Sequence, residues 1–180
     1  MIRSEQEQIR LASLQQLKDL GINPYPAEEF VVTHRSKSLK DDFKPGVKVS
    51  MAGRMMSRRI MGKASFAELQ DAEGTIQLYL NRDEICEGED KTMYNAVFKK
   101  LLDRGDFIGI EGETFVTKVG EPSVKVSGFK VLSKAIRPLP AVKTDEDGNV
   151  HDAFSDPELR YRMRYVDLCV NEKVKETFVA

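Results

Sequence analysis

The feature that most constrains this chain is a change of hydrophobic period at Val47, after which short runs of alternating apolar and polar residues continue to Ser133. A period of two is that of a strand with one buried face, whereas a helix repeats about every 3.6 residues. Turn residues separate the runs that we interpret as strands: 47–59, 65–71, 75–81, 106–117 and 123–133. The sequence therefore predicts a β domain over residues 46–134.

A helix is predicted between the third and fourth strands. Four apolar residues of this segment fall at i, i+3, i+4 and i+7, on one helix face: Tyr94, Val97, Phe98 and Leu101. Three successive strands, a helix and a two-strand hairpin form the order of the OB-fold, a five-stranded barrel. Barrels of this type bind oligonucleotides on the face of strands 2 and 3 and on the connecting loops. We therefore predict an all-β core with an OB-fold barrel.

The segments on either side of the barrel predict helices, so that the chain as a whole is α+β. Residues 2–20 are loosely periodic and end at Gly21, a typical helix stop, and we assign 1–45 to an N-terminal helical extension. Prolines and a polar run follow the barrel, and Asp156-Pro157-Glu158 is typical of a helix start. We assign 135–180 to a C-terminal helical linker.

Composition excludes several classes of protein. Charged residues make up 32% of the chain, and no apolar run approaches the roughly 18 residues of a membrane span. The N-terminus lacks the apolar core of a secretion signal. Cys86 and Cys169 are far apart and have no partner pattern, which predicts neither a disulfide framework nor a metal site. We expect a cytoplasmic protein without a metal site or a membrane partner.

Positive charge is concentrated near the first strand, although the net charge is −1. No acidic residue lies between Asp42 and Glu68, a stretch that includes six basic residues: Lys44, Lys48, Arg54, Arg58, Arg59 and Lys63. A basic strand suits contact with a nucleic-acid backbone. It equally suits an edge strand whose charges prevent aggregation. The charge pattern leaves both interpretations open.

Alternation also separates the two faces of the second and third strands. It places Phe66, Gln77 and Tyr79 on the outward face, with apolar residues pointing inward. An exposed aromatic ring beside an amide suits a single-stranded base, because the ring stacks on the base and the amide bonds its edge. Alternatively, Phe66 covers a hydrophobic rim or packs beneath the N-terminal extension.

The chemistry of the base edge indicates further candidates. Gln77 can rotate its amide to suit either uracil or cytosine, whereas arginine is donor-only and ionised glutamate acceptor-only. A fixed Arg59 and a fixed Glu121, in the loop joining the last two strands, could therefore favour uracil. Strand parity instead places Arg54 and Arg58 outward, unless a bend in the first strand reverses the phase. The pattern alone leaves Arg59 undecided.

Over nearly its whole length the chain resembles bacterial lysyl-tRNA synthetases of class II. The resemblance is carried by residues 51–66 (MAGRMMSRRIMGKASF), 69–71 (LQD), 76–79 (IQLY), 137–140 (RPLP), 156–162 (DPELRYR) and 164–168 (RYVDL). It implies an anticodon-binding domain whose partner is the anticodon loop of tRNA(Lys). It further implies that Phe66 stacks on the central uridine, that Gln77 and Arg59 bond its edge, and that Glu121 accepts from it.

The resemblance thus favours Arg59 where parity is undecided. Arg54, Arg58 and Tyr79 lie in the same segments and complete the predicted set of anticodon-binding residues. Pro122 departs from the family, which usually has leucine beside the loop glutamate, and a proline there can tilt Glu121.

The resemblance also implies an enzyme longer than this chain. In that family the full-length homodimer attaches lysine to tRNA(Lys) with ATP and Mg²⁺. The family's Phe-Arg-x-Glu and Gly-x-Gly-x-x-Arg motifs do not occur in this sequence, nor does a Gly-rich phosphate loop. We therefore expect the chain to contain no catalytic residue, to bind no cofactor itself and not to aminoacylate alone.

Two other functions remain open from the sequence. A free-standing OB module would bind single-stranded nucleic acid without sequence preference. A structural or partner-binding domain would not bind RNA at all.

Overall fold

The computed structural model describes residues 3–140, 143–144, 150–151 and 154–179. It divides into two compact units, Met1–Arg137 and Pro138–Ala180. The strands of the first unit are β1 (Lys48–Met61), β2 (Ala64–Gln70), β3 (Thr75–Asn81), β4 (Phe107–Val116) and β5 (Pro122–Ser133). They hydrogen-bond in the order β1-β2-β3-β5-β4 and close into a barrel. The predicted five-stranded OB-fold is confirmed.

Within the described residues, three α-helices and one π-helix accompany the barrel: α1 (Glu5–Asp19), α2 (Ser36–Asp41), α3 (Arg82–Ile85) and the π-helix (Met93–Leu101). α1 begins with a capping box, in which the side chains of Ser4 and Glu7 each accept from the other's backbone N–H. It is followed by Gly21 at φ 75°, the left-handed conformation that glycine adopts readily.

The barrel interior is filled by the inward residues that the alternation predicts. In β2 and β3, half-buried and buried residues alternate along the whole length of each strand. The π-helix occupies the position of the predicted helix, and its four periodic apolar residues are buried in the same core cluster. Its i→i+5 bonding continues to Leu102, whose N–H donates to the carbonyl of Val97 at 3.0 Å.

β1 reverses its two faces partway along its length. Its pairing with β2 shifts by one residue at Met56, which is the signature of a β-bulge. Beyond the bulge Arg58 lies opposite Ala67, whose side chain is buried, and Arg59 lies opposite the outward Phe66. The parity expectation that Arg58 points outward is therefore wrong, because the extra residue at Met56 exchanges the inward and outward positions.

The N-terminal extension lies along the half of β1 that β2 does not reach. The N–H of Thr33 donates to the carbonyl of Ser50, and the N–H of Ser50 donates to Thr33 Oγ1, each at 2.9 Å. The ring of Phe30 packs on Gly109, where a Cβ would lie 2.6 Å from ring atoms. The extension thus satisfies backbone groups at a strand edge that would otherwise be open.

A buried ion cluster fixes the chain as it leaves β5. Lys134 and Asp106 are both buried, and Lys134 Nζ lies 2.8 Å from Asp106 Oδ2 and 2.5 Å from Asp103 Oδ2. The N–H of Ala135 donates to the other Asp106 oxygen at 2.8 Å. Arg10 of α1 donates to the carbonyl of Ala135 at 3.0 Å. These bonds tie the start of the predicted linker to the barrel.

The described part of the second unit forms a small sheet and three helices: β6 (Lys143–Thr144), β7 (Val150–His151), α4 (Pro157–Arg162), α5 (Arg164–Val170) and α6 (Glu172–Val179). The predicted start of α4 is present, since the side chain of Asp156 accepts from the N–H of Glu158 at 2.9 Å. The buried carboxylate of Asp167 accepts from Arg160, Arg164 and Asn171. Residues 145–149, most of the predicted polar run, lie outside the described residues.

Candidate nucleic-acid interface

An open groove of about 430 Å³ lies on the outer face of β2 and β3. Its lining comes from α2, the end of β1, β2, β3 and the β4–β5 loop: Lys40, Ser57, Arg58, Arg59, Phe66, Ala67, Glu68, Thr75, Gln77 and Glu121. The groove thus brings together five of the seven residues that the sequence nominates. Arg54 and Tyr79 are the two that do not line it.

Phe66 and Arg59 form a cross-strand pair in the groove. They are register partners, and the guanidinium carbon of Arg59 lies 5.7 Å from the Phe66 ring centroid. Tyr79 contacts the Phe66 ring at a centroid distance of 5.4 Å, and Phe115 lies edge-on to Tyr79 at 5.8 Å. The Phe66 ring lines the open groove. Its aromatic neighbours hold it in one orientation.

Gln77 is oriented by a bond to the neighbouring parallel strand. Ser123 of β5 is buried and is the register partner of Gln77, and its hydroxyl donates to Gln77 Oε1 at 2.9 Å. Within the described part of the chain, Gln77 Nε2 has no hydrogen-bond partner. The amide therefore offers its N–H groups, rather than its oxygen, to a ligand in the groove.

Glu121 is positioned by the turn of the β4–β5 hairpin. Its N–H donates to Thr117 Oγ1 and its carbonyl accepts from the N–H of Thr117, both at 3.0 Å. Gly120 supplies the left-handed conformation of the turn, at φ 87°. Pro122 is the first residue of β5, a position in which a strand tolerates proline. Glu121 lines the groove with Pro122 beside it.

Arg58 has a different environment from its neighbour Arg59. It donates to the carbonyls of Phe98 and Leu102 at the end of the π-helix, and its guanidinium carbon lies 5.8 Å from the Phe98 ring centroid. Burial lowers the pKa of Arg58 below its usual value, and the nearby carboxylates of Asp103 and Asp106 act in the opposite direction. Arg58 forms part of the groove wall while its guanidinium binds the helix end.

Arg54 lies on the outward face but on the β4 side of β1. Its guanidinium carbon is 4.3 Å from the Phe107 ring centroid, and its Nη1 donates to the carbonyl of Gly105 at 2.9 Å. The residue is therefore engaged with the barrel surface outside the groove. Tyr79 does not line the groove, but its ring contacts the Phe66 ring, which does.

The sequence did not nominate Lys40, which enters the groove from the N-terminal extension. α2 is attached to the β2–β3 turn by Ser36, whose N–H and hydroxyl donate to Asp71 at 2.6 and 2.7 Å. Thirty-five residues separate Ser36 from Asp71, and no local pattern predicts such a contact. The sequence did not nominate Ser123 either, since its bond to Gln77 depends on a parallel pairing of distant strands.

The ranges that the structure describes contain no group of three or more His, Cys, Asp or Glu side chains arranged to hold a metal ion. No described helix combines the length and apolar composition that crossing a membrane requires.

Comparison with known proteins agrees with the OB-fold. Residues 49–132 match the tRNA anti-codon family of OB-fold nucleic acid binding domains. The chain is 64% identical over 176 residues to the lysine–tRNA ligase of Christiangramia forsetii. It is 58% identical over 181 residues to that of Porphyromonas gingivalis and 56% identical over 179 residues to that of Azobacteroides pseudotrichonymphae. Each match covers 98% of this chain but 31%, 31% and 36% of the respective relative.

Proposed function

We propose that this chain, which belongs to the lysine–tRNA ligase family, binds the anticodon loop of tRNA(Lys) in the groove on β2 and β3. The observation that carries the proposal is the convergence of an aromatic ring, two donors and one acceptor on that groove: Phe66, Arg59, Gln77 and Glu121. These residues come from three strands and a loop. Their arrangement fits one single-stranded base and its edge.

Phe66 supplies the stacking surface. Stacking of a base on an aromatic side chain contributes about 1–3 kcal/mol. The contact with Tyr79 at 5.4 Å orients the ring before RNA binds, so that little side-chain entropy is lost on binding. The guanidinium carbon of Arg59 lies over the ring, 5.7 Å from its centroid, and we assign its donors to the edge of the stacked base.

The donors and the acceptor around the ring favour uracil. Arg59 is donor-only, and Ser123 holds Gln77 as a donor, which matches the two carbonyl oxygens of uracil. The carboxylate of Glu121 matches the N–H between them. Cytosine presents an amine and a ring nitrogen in place of part of this pattern, which leaves groups unsatisfied at a cost of about 1–3 kcal/mol.

The activity of the whole protein is part of the same proposal. The relatives are lysine–tRNA ligases about three times as long as the matched region, and we extend that activity to the protein that contains this chain. It would be a class II enzyme that joins lysine to tRNA(Lys) with ATP and Mg²⁺, as a cytoplasmic homodimer. The contribution of these 180 residues would be RNA binding, without aminoacylation by the chain alone.

Titration with RNA hairpins tests the proposal. Two hairpins carry the lysine anticodon loop and differ by U or C at the central position. We expect the U hairpin to bind about 5- to 150-fold more tightly, the ratio that corresponds to roughly 1–3 kcal/mol. Equal affinities with a steep salt dependence would instead indicate a free-standing module that binds single strands without preference. Absence of binding at low salt would indicate a structural domain.

A further inference from the structure

The groove contains a cation that lies outside the barrel. We infer that Lys40 of α2 binds a backbone phosphate of the RNA in the groove, and that Asp71 positions α2 for this contact. The inference rests on the proposed function, which names the RNA but assigns no role to the N-terminal extension.

α2 is fixed to the end of the β2–β3 hairpin. The Asp71 carboxylate accepts from the N–H and hydroxyl of Ser36, and also from the N–H groups of Glu73 and Gly74 at 2.8 and 3.0 Å. Ser36 is fully buried, and Leu39 is buried in the main core cluster. One carboxylate therefore joins the N-terminal extension to the turn beside the groove.

The position of Lys40 follows from that attachment. It comes directly after the buried Leu39, is exposed, and lines the groove together with Phe66 and Arg59. Across the described residues, Lys40 has no salt bridge, although Glu68 and Glu121 also line the groove. Lys44, by comparison, pairs with Asp42 at 2.8 Å. An ammonium group that forms no salt bridge in a groove for RNA is available to a phosphate.

The placement along the strands separates this cation from the stacking ring. Phe66 pairs with Tyr79, whereas Thr75, which lines the groove near the turn, pairs with Gln70. The two pairs are four residues apart, or roughly 13 Å along the strand. α2 is attached at the turn end. When a base stacks on Phe66, Lys40 is therefore placed to contact the RNA backbone. Such contacts position the RNA without reading its sequence.

Substitution of Lys40 by glutamine tests the first part of the inference. We expect Lys40→Gln to weaken the central-U and central-C hairpins by the same factor and to reduce the slope of log affinity against log salt by about 0.7, the value for one phosphate of a single strand. Lys48→Gln is the matched control, because it removes the same charge from a groove on β1, β4 and β5. It should leave both quantities unchanged. An unchanged slope in Lys40→Gln would overturn the assignment, as would a changed U-to-C ratio.

Two substitutions test the positioning role of Asp71. Ser36→Ala removes the hydroxyl bond and keeps the turn bonds from Glu73 and Gly74, and Asp71→Asn replaces the carboxylate. Both variants, shown to be folded by circular dichroism, should reduce the salt slope, and adding Lys40→Gln to either should reduce it little further. Full additivity with Lys40→Gln would contradict positioning through Asp71.

Failure of the Lys40 contact and failure of anticodon recognition give different results in these experiments. If the unaltered chain prefers central U and Lys40→Gln has no effect on the slope, the Lys40 assignment alone fails. If the chain has no base preference and Lys40→Gln still reduces the slope, anticodon recognition fails and the phosphate contact stands.

Discussion

Two arginine–phenylalanine pairs lie on the outer surface of the barrel, one at each side of the bulge in β1. Arg59 and Phe66 line the groove, where 5.7 Å separates the guanidinium carbon from the ring centroid. Arg54 and Phe107 are closer, at 4.3 Å, and Arg54 also donates to the carbonyl of Gly105. The tighter pair is the one outside the groove. Residue type and pairing therefore do not distinguish the two surfaces, whereas the donors and acceptors that line the groove do.

Removing each aromatic ring should give the largest contrast between the two pairs. Phe66→Ala should weaken the central-U hairpin about 5- to 150-fold, because roughly 1–3 kcal/mol of stacking is lost. Phe107→Ala should leave RNA affinity unchanged and decrease the free energy of unfolding. Equilibrium binding and urea denaturation of the two variants measure these effects. Equal losses of RNA affinity would contradict the assignment of the groove.

Replacing each arginine should give a smaller contrast. Arg59→Gln keeps one amide donor, so we expect the preference for central U over central C to fall about fivefold, or roughly 1 kcal/mol. Arg54→Gln should leave that preference unchanged and decrease the free energy of unfolding by about 0.5–1 kcal/mol through its contact with Phe107. A loss of base preference in Arg54→Gln would instead support the strand parity of the sequence.

Freeing the Gln77 amide should reduce the preference for central U over central C. Ser123→Ala removes the bond that holds Gln77 Oε1, so that the amide can rotate and also suit cytosine. The U-to-C affinity ratio should fall roughly twofold, or about 0.5 kcal/mol. Stability has to be followed in parallel, since Ser123 is buried. An unchanged ratio in a folded variant would show that this bond does not orient the amide.

Acid should remove the contribution that Asp71, in the β2–β3 turn beside the groove, makes to the stability of the fold. Burial raises the pKa of Asp71, but its hydrogen bonds from Ser36, Glu73 and Gly74 lower it more, so that the net direction is downward. A carboxylate whose folded pKa is below its unfolded value of about 3.9 stabilises the fold above that value. This contribution is lost as the pH falls through the folded pKa. Denaturation from pH 6 down to pH 2 should therefore be less pH-dependent in Asp71→Asn, whereas identical profiles would contradict the role of Asp71.

The sequence predicts the parts of the groove that depend on unbroken alternation. β2 and β3 keep one period throughout, so the outward positions of Phe66 and Gln77 could be derived from pattern alone. β1 could not be treated in this way, because its phase changes at Met56 and neither the residue type nor the spacing indicates a bulge. The chemistry of the base edge made Arg59 a candidate, and resemblance to a family, rather than parity, favoured it.

Contacts between distant segments could not be predicted from the sequence. The bond from Ser123 to Gln77 needs the closure of β3 on β5, and the bonds from Ser36 to Asp71 need the extension to fold back on the barrel. Lys134 lies in a segment interpreted as the boundary of a linker, yet it is buried against Asp106. Each contact depends on tertiary structure, which local periodicity does not report.

Photocrosslinking identifies which strand of the barrel contacts the central base of a bound anticodon. A lysine anticodon hairpin with a photoreactive thiouridine at the central position is bound to the chain, irradiated and digested, and the linked peptide is identified by mass spectrometry. We predict a crosslink within β2 or β3, at Phe66 or beside Gln77. A crosslink to the β4 peptide that contains Phe107 would contradict the claim that the groove on β2 and β3 binds the central base.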